Sequence, residues 1–65
     1  MARWSGQTLT LPVGPGWTYK LELQEETESG ARSHLVLGRG MFGTEGEAKA
    51  AGDAHLKTEL ERRSS

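Results

Sequence analysis

The sequence predicts an α+β domain, a three-stranded antiparallel β-meander packed on one C-terminal α-helix in the order β-β-β-α. Three observations predict it. Runs with apolar–polar alternation recur at residues 8–13, 17–24 and 32–38. Turn chemistry separates them, first Gly14-Pro15-Gly16 and then the acidic stretch from Gln24 to Gly30. A capped helical period then occupies residues 45–62. The 65 residues are read as one small domain spanning 1–65.

The first run, Thr8-Leu9-Thr10-Leu11-Pro12-Val13, has period two, and Pro12 confines it to an edge or ends it because proline has no N–H for a ladder. The second, Trp17-Thr18-Tyr19-Lys20-Leu21-Glu22-Leu23, alternates most clearly, with Trp17, Tyr19, Leu21 and Leu23 on one face. Residues 24–30 are read as an exposed hairpin loop. The third run, Arg32-Ser33-His34-Leu35-Val36-Leu37, alternates less cleanly because Val36 interrupts its polar side. Gly38, Gly40 and Gly43 loosen the connection to the helix, and no Gly-Lys-Ser/Thr follows to make it a phosphate loop.

Thr44 and Glu47 form a Thr-x-x-Glu capping box, acids occupy the first turn, and Arg62 and Arg63 the last. Ser64 and Ser65 are expected to fray. The stripe Ala48, Ala51, Gly52, His55, Leu56 and Glu59 faces one side, with Leu60 at its margin. Gly52 costs about 1 kcal/mol relative to Ala inside a helix, so close packing against Trp17 or Tyr19 is its expected reason. The covered sheet face is expected to hold Leu9, Leu11, Val13, Trp17, Tyr19, Leu21, Leu23, Leu35, Leu37, Met41 and Phe42. The open face is expected to show Thr8, Thr10, Thr18, Lys20, Glu22, His34 and Val36.

Composition bounds the function. No apolar run approaches the roughly 18–20 residues that a bilayer span needs, so no membrane association is expected. The start turns polar at once and lacks a signal-peptide pattern. The absence of cysteine excludes disulfides and thiolate zinc sites and suits a reducing, cytoplasmic setting. No enzymatic activity, cofactor or metal is expected. His34 and His55 are assigned to opposite sides of the sheet, and the His55–Glu59 pair lacks the further ligands of a metal site. A domain this small also has a marginal core, which raises self-association as a means of burying surface.

The segment from Phe42 to Ala51 reads Phe-x-Thr-x-x-Glu-Ala-x-x-Ala and follows a strand that opens Gly-Trp-Thr-Tyr-Lys. With these residues the chain resembles, over about 17–56, the AP2-like arm-type DNA-binding modules at the N-termini of phage-type integrases. The resemblance implies a three-stranded sheet plus helix whose open face enters the major groove. Thr10, Thr18, Lys20 and His34 would then meet bases, and Arg32 and Arg39 phosphates. This sequence departs from that pattern with Glu22 on the same face and Glu25, Glu26 and Glu28 beside it. Phosphate contacts need cations, and the formal net charge is −1. The primary expectation is therefore a small non-enzymatic interaction module that binds a protein partner or itself as a homodimer. DNA binding through the open face is the alternative.

Overall fold

Two tight turns decide how the strands meet. In the computed structural model, which describes residues 2–64, the elements are β1 (Arg3–Val13), β2 (Gly16–Thr27), β3 (Gly30–Leu37) and α1 (Glu45–Ser64). They form one antiparallel sheet in the order β1-β2-β3, with the helix packed against it. Gly14, with φ 57°, and Pro15 connect β1 to β2. Positive φ at the first central residue alone matches a type II′ turn, whose twist suits a hairpin. Glu28 and Ser29 connect β2 to β3. There the Thr27 hydroxyl accepts the Ser29 N–H at 3.2 Å and donates to the Gly30 carbonyl at 3.1 Å, and Gly30 takes φ 133°.

The strands run further than alternation predicts. β1 begins at Arg3 rather than near residue 8, and β2 continues to Thr27 through the stretch read as loop. Ser5, Gly6 and Gln7 carry no apolar alternation, yet Gln24, Leu23 and Glu22 pair with them. Ladder pairing satisfies those backbone groups whatever their side chains. The helix also includes Ser64, whereas Met1 and Ser65 lie outside the described residues.

β3 reconnects to the sheet after it ends. Gly38 N–H donates to the Tyr19 carbonyl at 2.9 Å, the chain bulges through residues 39–41, and Phe42 pairs with Trp17. Trp17 and Phe42 exchange backbone hydrogen bonds of 2.8 and 2.7 Å, which deliver the chain to the helix start. There Thr44 caps as its spacing predicts, its hydroxyl accepting the Glu47 N–H at 3.2 Å. The Glu47 carboxylate turns to the same hydroxyl, accepting its hydrogen at 3.1 Å, instead of reaching the Thr44 backbone.

The core is small and centred on β2. Tyr19, Leu21 and Leu23 are buried, with Trp4, Val36, Phe42, Ala51, Leu56 and Leu60 packed around them. The helix runs antiparallel to β1 and lies over β1 and β2 without reaching β3. Small residues on both sides let it approach. A Cβ at Gly52 would overlap Thr8 Cγ2 and stand 3.0 Å from Tyr19 Cγ, while one at Gly6 would stand 2.9 Å from Leu56 Cδ1. Gly52 thus has its expected reason, with Tyr19 as the aromatic and Thr8 beneath it.

The two outer strands present faces opposite to those expected. A two-residue turn pairs an odd-numbered position with an even-numbered one, so Thr8 stands opposite Leu21 and Thr10 opposite Tyr19. Directly opposed residues share a face. Since Tyr19, Leu21 and Leu23 face the helix, so do Thr8 and Thr10, while Leu9, Leu11 and Val13 face away. The second turn repeats the effect: Val36 stands opposite Leu21 and His34 opposite Leu23, which turns Leu35 and Leu37 outward. Met41, expected in the core, is 58% exposed.

Candidate interaction surface

The open face is a field of cross-strand rows built by that register. Gln7, Glu22 and Leu35 make one row, and Leu9, Lys20 and Leu37 the next. Leu11 pairs with Thr18 and Val13 with Gly16 beyond them. Met41 joins the last row, because its Cε would lie 3.3 Å from a Cβ placed on Gly16. Polar residues therefore run down the central strand, with Leu9, Leu11 and Val13 along one margin and Leu35, Leu37 and Met41 along the other. Leu35 is 59% exposed and Leu37 72%. An open antiparallel sheet normally shows water its polar face, whereas here outward-facing apolar side chains line both margins of a polar column.

The polar column is sparsely engaged. Thr18 donates its hydroxyl to the Gly40 carbonyl at 3.1 Å, and Gln7 Nε2 donates to Glu22 Oε1 at 3.4 Å. Among the described residues no ion pair joins Lys20 to a carboxylate.

The six residues proposed for nucleic acid are dispersed. Thr18 and Lys20 stand on the open face, as expected. Thr10 is on the helix side, donating its hydroxyl to Glu45 Oε2 at 3.2 Å. His34 is also there, its ring 5.1 Å from that of Trp4 and its Nε2 3.4 Å from Glu25 Oε1. Arg32 faces the same side opposite Glu25, and Arg39 lies in the β3–α1 connection, bordering a cleft with Tyr19, His55 and Glu59. The assignment of Thr10 and His34 to the open face is corrected by the hairpin register. The two histidines consequently share a side of the sheet instead of standing on opposite ones.

On the helix side, titratable groups lock the helix to the sheet. The Tyr19 hydroxyl lies 2.9 Å from His55 Nδ1, and His55 Nε2 lies 3.5 Å from Glu59 Oε1. Arg62 Nη2 donates to Glu59 Oε2 at 2.6 Å and Arg63 Nε at 3.2 Å. The Arg62 hydrogen bond, against the opposing effect of burial and with help from Arg63, pulls the Glu59 pKa down to about 2. Arg63 also lies over the Trp4 ring, 5.0 Å from its centre, fastening the helix end to β1. Farther up the helix, hydrogen bonds from Lys49 hold the Asp53 carboxyl below its ordinary value. Among the described residues no cluster of three or more His, Cys, Asp or Glu has the arrangement of a metal site, and no helix is long and apolar enough to cross a membrane.

Compared with known proteins, the chain matches no family model, no curated protein and no solved structure. Of the expected arm-type resemblance, the structure shows only a three-stranded antiparallel sheet followed by one helix, and no family is identified.

Proposed function

We propose that the chain is a non-enzymatic interaction module whose docking surface is the open sheet face. The observation that carries this reading is the outward placement of Leu35 and Leu37, with Leu9, Leu11, Val13 and Met41 on the same face. Burying apolar surface gains about 25 cal/mol per Å², and the helix already occupies the other side of the sheet. A photo-crosslinking side chain at Leu37 tests the reading against one at Ala50 on the exposed back of the helix. Protein adducts, with itself or with another chain, are expected from position 37 and not from 50. Equal labelling at both positions, or none at 37, would contradict it.

The arm-type resemblance supplies a second reading, favoured by Thr18 and Lys20 remaining on the open face. It asks that face to attract phosphate with one lysine beside Glu22, against the cation requirement of such contacts. Amide shifts at Thr18 and Lys20 on adding duplex DNA at low salt, lost on adding salt, would support it over protein docking.

A further inference from the structure

We infer that the partner of the open face is a second copy of this chain, bound face to face and antiparallel about a two-fold axis crossing β2 between Lys20 and Glu22. This rests on the open face being the docking surface. Charge complementarity selects the arrangement. Lys20 and Glu22 are neighbours on the same face of the central strand, and a two-fold interface brings a patch against itself.

An axis running along the strands would oppose Lys20 to Lys20 and Glu22 to Glu22. An axis across them, placed between the two residues, opposes Lys20 of each copy to Glu22 of the other, twice. The same axis sets Leu35 of each copy against Leu37 of the other, giving an apolar cluster along one margin. It also passes close to the midpoints of β2 (Gly16–Thr27) and β1 (Arg3–Val13), so those strands overlap along their length and Leu9 of each copy meets Gln7 of the other, whereas β3 overlaps only over residues 35–37.

The size of the face suits a modest association. β3 contributes eight residues, and at about 3.3 Å per residue and about 4.8 Å between strands the three-stranded face measures about 14 by 26 Å. That flat footprint, about 360 Å², lies below the roughly 600 Å² per copy at the low end of specific interfaces, so a weak association is expected. The crossed charges set orientation and register more than affinity, since desolvating an ion pair offsets much of its attraction.

Sedimentation equilibrium from 10 μM to 1 mM tests the inference on the wild type, Lys20→Glu, Glu22→Lys, the double variant and an equimolar mixture of the two single variants. Both positions lie on the surface of the isolated chain, and circular dichroism checks each fold. The wild-type mass is expected to rise from 7.1 kDa toward twice that value. Each single variant, by opposing like charges, should need at least about tenfold higher concentration to associate, whereas the double variant and the mixture should recover. A wild type that stays at 7.1 kDa up to 1 mM overturns the inference. If such a monomer still crosslinks to other proteins through Leu37, the docking reading survives without self-association. Association that the single substitutions leave unchanged, or that the mixture does not restore, also overturns the antiparallel two-fold arrangement.

Discussion

The open face of this sheet carries more large aliphatic side chains (Leu9, Leu11, Val13, Leu35 and Leu37) than the helix face (Leu21, Leu23 and Val36), yet only the helix face builds a core. On the helix side, Leu21 and Leu23 are wholly buried beside small residues, Gly6 and Thr8, over which the helix settles. On the open side, Leu35 and Leu37 flank a polar column and remain 59% and 72% exposed. Close approach of a helix needs small partners more than apolar ones. Thr8 offers a methyl and little bulk where Leu9, one residue along, would hold the helix away. The leucines of the outer strands are thereby excluded from the core and left available for another surface.

The sharpest way to break this contrast is to truncate one leucine on each face. Leu21→Ala should cost about 2–5 kcal/mol by transfer and cavity effects, read from urea unfolding at low micromolar protein. A loss below about 1 kcal/mol would mean that Leu21 is not at the centre of the core. Next in size is Gly52→Ala. Its gain of about 1 kcal/mol in helix propensity should be outweighed by an overpacking cost of about 1–3 kcal/mol, because the new methyl meets Thr8 and the Tyr19 ring. A rise in melting temperature would show that the helix stands farther from the sheet.

A smaller effect is expected at the helix end, where pH resolves it. Glu59 titrates near its ordinary value of 4.5 when unfolded and at about 2 when folded, so its ion pairs stabilise the fold above pH 4.5. That contribution is lost as pH falls from about 4.5 to about 2. Glu59→Gln should therefore melt below the wild type at pH 7, with the difference closing over that window. A difference independent of pH would remove the carboxylate from the account. The smallest effect is expected on the open face, where Leu37→Ser should change monomer stability by no more than about 0.5 kcal/mol. A loss above 1.5 kcal/mol at low micromolar concentration would place Leu37 in the core.

The element order, the clean face of β2 and the Thr44 cap were legible from the sequence because each depends on local periodicity or a short spacing. Gly52 was legible as a close contact because a glycine inside a helix has a cost that needs an offset. The faces of β1 and β3 were misassigned because leucines were placed inside on hydrophobicity alone. The deciding signal lay in the turns. With Gly14-Pro15 taken as a two-residue II′ turn, the buried odd positions of β2 require even positions of β1, and hence Thr8 and Thr10, to face the helix. Glu28-Ser29 does the same for β3, but its sequence lacks a glycine at either central position to advertise the turn. The extension of β1 to Arg3 had no local signal, because Ser5, Gly6 and Gln7 are held by pairing alone. The candidate surface follows from the same register and became visible only when it was known.

Nuclear Overhauser contacts across the helix–sheet interface test the face assignment most directly. The account predicts contacts from the Thr8 methyl to the Gly52 α-protons and the Tyr19 ring, and none from the Leu9, Leu11, Leu35 or Leu37 methyls to any proton of the helix in the same chain. Contacts from the Leu9 or Leu11 methyls to Ala48, Ala51 or Leu56, with Thr8 silent, would contradict it.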